Sequence, residues 1–217
     1  MQGLFYFLVS IAAVVAFYFV WQAEKKRREA FSTWALKNDW RYDHRKNATR
    51  QHPYGFLDRL QVGHSRSSSH HLEGKWGAFD ATAFCFRYTT GSGKHQQQHS
   101  LGVVLIRVEE FFPELRIYPE NMLARFGQFL GFEDIDLDSV EFSNAFTVRS
   151  SDKKLAYDFC NTDMMTYLLG FRSTAMELEG NTMALFVNRY LKPQDVEDML
   201  AHLVEIRRRM PGYLFKG

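Results

Sequence analysis

Cysteine is scarce: Cys85 and Cys160 are the only two in 217 residues. Nothing in their flanks suggests a disulfide framework, a CxxC pair or a zinc knuckle, which suits a cytosolic domain that keeps them reduced. Both sit among apolar neighbours, as core thiols do. Nucleotide signatures are missing too. Gly91-Ser-Gly-Lys94 has Tyr88 where a phosphate loop needs its first glycine and His95 where it needs Ser or Thr, so it reads as a glycine hairpin tip. Asp134, Asp136 and Asp138 begin like a calcium loop, but Ser139 and Ala145 replace its glycine and closing glutamate. No Ser-His-Asp or Cys-His spacing is readable. No internal repeat and no βαβ alternation is present, which argues against a parallel sheet.

One stretch lacks charge and proline altogether. Leu4 to Trp21, LFYFLVSIAAVVAFYFVW, is followed at once by the basic run Lys25, Lys26, Arg27 and Arg28. At about 1.5 Å per residue its eighteen residues reach roughly 27 Å, near the thin end of a bilayer core of about 30 Å. The alternatives are a signal peptide and a buried helix. Bulky Phe17, Tyr18, Phe19 and Trp21 occupy the place of a small-residue cleavage site, and the run has no polar face. Tyr6 and Phe5 at one end, Tyr18 and Trp21 at the other, suit interfacial belts. The reading is therefore a transmembrane anchor over 1–21. Basic residues directly after it place the following domain in the cytoplasm, on an inner membrane.

Charge divides the chain in the same way. Nine Lys or Arg against four Asp or Glu between Gln22 and Arg50 give a net +5, which leaves −3 over the remainder. The cluster Lys25, Lys26, Arg27 and Arg28 faces the lipid, either fixing topology or recognising anionic headgroups. A net acidic domain disfavours nucleic acid, despite the short Arg207–Arg209 run. The roughly 190 residues beyond the anchor suit one core. The expected organisation is an anchor over 1–21, a basic helical stalk over 22–39 and one cytosolic α+β domain over 40–217.

Helical spacing of Ala30, Phe31, Trp34 and Ala35 continues the first helix to about Lys37. Trp40 to His44 reads as a strand, 56–64 as another, and Ser65–Ser69 as a flexible loop. His70–Trp76, Ala78–Tyr88 and Gln98–Val108 form an antiparallel meander. In its middle strand Phe84, Phe86 and Tyr88 alternate with Ala83, Cys85 and Arg87, giving one aromatic face and one small face on which a helix can lie close. Leu115–Tyr118 is expected as a fourth strand, Pro119–Gly131 as a helix, and Phe146–Arg149 as a strand. Helices capped by Ser151 or Asp152 and by Asn161 or Thr162 follow, then a hairpin turning at Gly180-Asn181. The last helix opens at Pro193, carries Val196, Met199, Leu200, Leu203 and Ile206 on one stripe, and ends at Pro211-Gly212. The fold class is α+β, mainly antiparallel, with a C-terminal amphipathic helix.

His64, His70, His71, His95 and His99 form the one ligand-rich cluster. Pairing His71 near Phe84 and His99 near Phe86 leaves the imidazoles roughly 9 to 10 Å apart, too far for one metal without a ligand between. They are the weak metal candidates, and solvated loop histidines are the better reading.

The order Glu141-Phe-Ser-Asn-Ala-Phe-Thr-Val148, Asp152, Ala156-Tyr-Asp-Phe and Met164-Met-Thr-Tyr-Leu-Leu169, preceded by Phe86-Arg-Tyr and Thr89-Thr-Gly-Ser-Gly-Lys94, resembles an uncharacterised bacterial family of membrane-anchored proteins. Ser143 and Asp163 depart from its pattern. The resemblance implies a membrane-tethered domain and supplies no catalytic residues and no cofactor. Together these readings favour a single-pass protein presenting an interaction domain to the bilayer and a protein partner. A tethered metal-dependent hydrolase using the histidine-rich meander is the alternative.

Overall fold

The computed structural model describes residues 2–48, 53–123 and 134–215, with no side-chain description for residues 2–5, 8, 9, 12, 121 and 123. Helix α1 runs unbroken from Gln2 to Asn38. No glycine past Gly3 and no proline interrupts it. Among the described residues no helix is long and apolar enough to cross a membrane. Leu4, Phe5, Leu8, Val9 and Ala12 of the apolar run are outside the described side chains.

All strand pairs are antiparallel and make one seven-stranded sheet. β1 (Arg41–Asp43) and β2 (Asn47–Ala48) both pair with β3 (His64–Trp76), and β3 pairs with β4 (Phe79–Thr90). The centre is β5 (Gln97–Pro119). Along one edge it pairs with β4 and then with β6 (Phe146–Ser150); β7 (Ala175–Val187) follows the other edge. Val103 to Ile106 are buried in both parities, as a strand covered on both faces must be.

The faces divide as the alternation in β4 requires. Ala81, Ala83 and Cys85 belong to the larger core, where Phe31, Trp34 and Ala35 of α1 and the stripe of α6 (Pro193–Arg209) pack. Small side chains there leave room for helix backbones. Phe84, Phe86 and Tyr88 fill the opposite core beneath Leu57 and Leu60. The core thus takes in three residues of the expected stalk. Trp34 Nε1 donates to Glu197 Oε1 of α6 at 2.7 Å, and the Trp40 indole lies over Gly74.

Several expectations need correction. Residues 56–64 contain a turn and a 3-10 turn at Asp58–Leu60, not a strand. Ser65–Ser69 is strand, paired to β2 and β4, with left-handed backbone at Ser65 and His70 where the register shifts. The separate strand at Leu115–Tyr118 is the continuation of β5. The hairpin at Gly180-Asn181 does not form: β7 passes straight through, and Gly180, at φ +57°, sits opposite Phe112 at a break in register. A left-handed glycine serves a bulge as well as a turn. α2 covers Glu120–Leu123, and the rest of the expected helix to Gly131 is outside the described residues. A short helix α3 (Val140–Ala145), capped by Ser139, was not expected. α4 (Lys153–Phe159) starts at Asp152, whose carboxylate accepts from Lys154 and Leu155 N–H, and α5 (Thr162–Leu168) starts at Asn161.

Candidate functional site

At Arg87 the small-residue row of β4 ends, and a groove of about 600 Å³ opens on the helix face of the sheet. One wall is the turn of α1 directly after the apolar run: Glu24, Arg27 and Arg28. The far wall is His44, Arg45 and Lys46, in the link from β1 to β2. Ser67, Ser69 and His70 of β3 form the floor, and Arg87 and Tyr190 close the end. Register explains the floor: Ser67 stands opposite Arg87, and Ser69 opposite Cys85.

Five Lys or Arg line this groove against one carboxylate, Glu24. That carboxylate is shared. Arg28 Nε donates to Glu24 Oε1 at 3.2 Å, Arg27 Nη1 lies 3.8 Å from Oε2, and His70 Nε2 lies 3.1 Å from Oε1. A carboxylate only accepts, so His70 carries its proton on Nε2 and its Nδ1 accepts from the Tyr42 hydroxyl at 2.7 Å. Burial holds the His70 imidazolium below the usual histidine range while Glu24 pulls the other way. Burial, with the Glu24 charge adding, keeps the Tyr42 hydroxyl protonated well above the usual tyrosine range. Tyr42, His70 and Glu24 therefore make a hydrogen-bonded chain that fixes the His70 ring in the groove floor.

The other cations are arranged differently. Arg45 is forked onto Asp43 at 2.7 to 3.0 Å. Arg27 and Arg87 both lie over the Tyr190 ring, 4.6 and 5.3 Å from its centroid, and Arg87 donates to the Tyr190 hydroxyl. Neither Arg87 nor Lys46 has an acidic partner among the described residues. Two guanidinium groups are thus held against one ring at the end of the groove.

The sequence-level candidates fall apart here. Of the basic cluster, Arg27 and Arg28 line the groove, whereas Lys25 and Lys26 are exposed outside its lining and Lys25 faces Glu29 at 3.9 Å. His71 lies edge-on to Phe84, its centroid 5.6 Å away, on the opposite side of β3 from His70. His99 pairs with Tyr88 rather than near Phe86, stacks on that ring at 4.9 Å and shares a 2.7 Å hydrogen bond with Thr90 Oγ1. Among the described residues no group of three His, Cys, Asp or Glu side chains is placed to hold a metal. Sequence reasoning missed Arg45, Lys46, Arg87 and Tyr190, which share no local pattern.

A second polar cluster lies under the 53–63 segment, on the other face. Glu177 Oε1 accepts from the Tyr118 hydroxyl at 2.6 Å and from Arg59 N–H at 3.0 Å. Arg59 Nη2 donates to Asn188 Oδ1 at 2.8 Å. Burial pushes the Glu177 carboxyl up to about 7. Beside it Arg116 bridges Asp58, at 2.7 Å, and Glu114. Closed over by Leu57 and Leu60, this network pins the segment to the sheet.

No protein-family profile and no curated protein matches the sequence. A solved structure does. It is the crystal structure of the mycobacterial trehalose monomycolate transport factor A, TtfA, with a TM-score of 0.56 over 84% of this chain and 95% of that one, at 11% identity. The chain is similar to TtfA in fold. At that identity the likeness extends to architecture alone.

Proposed function

We propose that this chain is a single-pass bacterial inner-membrane protein whose α+β domain is held at the cytoplasmic leaflet and works by binding, as an accessory to a membrane assembly. The carrying observation is α1 itself. Its C-terminal half is locked into the core, with Phe31 fully buried and Trp34 at 6% exposure, whereas Phe7, Val14, Phe17, Phe19 and Val20 are 62 to 73% exposed in the same helix. Leaving about ten such side chains in water forgoes on the order of 20 kcal/mol of burial, which a bilayer supplies. Because one helix carries both halves, the domain is not a bead on a flexible tether; its orientation to the lipid is set by helix geometry.

The name of the similar structure, a transport factor, agrees with an accessory role at a membrane. No grouping of His71 and His99 favours the hydrolase reading. Alkaline carbonate extraction of cells expressing the full chain, with reporters fused at the C-terminus, tests the proposal. The chain is expected in the carbonate-resistant pellet, with a C-terminal fluorescent protein folded and a C-terminal alkaline phosphatase inactive. Release into the supernatant, or active phosphatase, overturns it.

A further inference from the structure

Building on that placement, we propose that the groove between α1 and the β1–β2 link is a binding site for the phosphate of an anionic phospholipid headgroup. Arg27 is six residues past Trp21, the last residue of the apolar run, which is about 9 Å along the helix. The groove therefore opens at the depth where headgroup phosphates lie. Its chemistry matches theirs. Arg27 and Arg87 share the Tyr190 ring, Lys46 stands in the opposite wall, and Ser67 and Ser69 bring hydroxyls to the floor. Guanidinium forks and hydroxyls together satisfy the acceptor oxygens of a phosphodiester. Glu24 is held by Arg28 and His70 at 3.2 and 3.1 Å and reaches Arg27 only at 3.8 Å, so Arg87 and Lys46 are the cations it leaves to a ligand. The Tyr42–His70–Glu24 hydrogen-bonded chain fixes two of the lining side chains, His70 and Glu24, an order that a loose juxtamembrane charge cluster lacks.

Lys25 and Lys26 supply the internal comparison, because they carry the same charge at the same depth outside the groove lining. Native mass spectrometry of the full-length chain, released from micelles doped with phosphatidylglycerol or phosphatidylcholine, reads the site directly. One phosphatidylglycerol is expected to be retained in preference to phosphatidylcholine. Arg87→Ala with Lys46→Ala is expected to weaken retention at least tenfold, and Lys25→Ala with Lys26→Ala by less than twofold. Arg87→Lys restores charge without the forked, ring-stacked geometry and is expected to recover only part of the loss; far-UV circular dichroism checks that each variant is folded. Inorganic phosphate at millimolar concentration is expected to displace the lipid. Equal losses in the two double variants would reduce the effect to general basic charge and overturn the proposal. Phosphate retained without any preference for phosphatidylglycerol would overturn it in favour of a free anion. The micelle experiment is independent of topology, so a chain that fails carbonate extraction yet retains one phosphatidylglycerol refutes the proposed location and not the groove.

Discussion

Glu177 makes the stability of this fold pH-dependent in an unusual direction. Its side chain is fully enclosed between Tyr118 and the Arg59 backbone, and burial lifts its carboxyl from 4.5 to about 7. A carboxyl raised in the folded state prefers its proton there, so folding takes up a proton wherever the unfolded group is ionised. The cost is absent below pH 4.5, grows as pH rises and levels off above about 7. Two and a half pKa steps at about 1.4 kcal/mol each amount to about 3.5 kcal/mol. Glu177→Gln keeps an oxygen to accept from Tyr118 and Arg59 and removes the ionisation. The variant is expected to match the parent near pH 4.5 and to be about 3.5 kcal/mol more stable at pH 8, a rise in Tm of roughly 7 to 14 °C for a domain of this size. Differential scanning calorimetry of the full chain in detergent at several pH values measures it. Asp58 and Glu179, also raised by burial, contribute to the parent's own pH profile and remain in the variant, with the Asp58 charge adding to the rise at Glu177. A difference that does not change with pH, or a variant less stable at pH 8, would refute the reasoning.

A methyl added at Gly74 would stand 2.5 Å from the Trp40 indole, so Gly74→Ala is expected to cost about 1 to 3 kcal/mol in urea unfolding of the solubilised chain. Asp152→Ala removes the acceptor for two N–H groups at the start of α4 and is expected to cost about 1 kcal/mol in the same assay. Burial pushes the Cys85 thiol up to about 11 and Cys160 up to about 12, so neither is expected to react with iodoacetamide at pH 8 until denaturant is added; intact-mass measurement counts the adducts.

Elements whose cause is local were legible in the chain. α6 is marked by Pro193, the acidic first turn and the arginines at its end; α4 and α5 are marked by Asp152 and Asn161. The aromatic and small faces of β4 follow from alternation alone, and so does the side on which helices pack. What failed depends on distant partners. Gly180-Asn181 has turn chemistry, yet whether a left-handed glycine reverses the chain or relieves a register shift is decided by the strand alongside it, and β5 is long enough to carry β7 through. Leu115–Tyr118 is likewise part of β5 because Pro113 falls in the irregular stretch between Phe112 and Leu115, where a missing N–H is tolerated and the strand need not end.

The groove illustrates the same limit at the level of function. Its side chains come from residues 24, 27, 28, 44–46, 67, 69, 70, 87 and 190, and only the sheet register and the course of α1 bring them together. The polar Ser65–Ser69 run carried a signal that was read the wrong way. Serine clusters usually mean a solvated loop because nothing requires them to pack. Here Ser67 is buried and paired between β2 and β4, and the strand is polar because the surface it lines is polar. An apolar residue at Ser67 or Ser69 would suit the strand better and the groove worse. A run that breaks the hydrophobic alternation of a strand while keeping its hydrogen bonds thus marks a polar surface, and in this chain Ser67 and Ser69 share that surface with Arg27 and Arg28 of the basic cluster legible in the sequence.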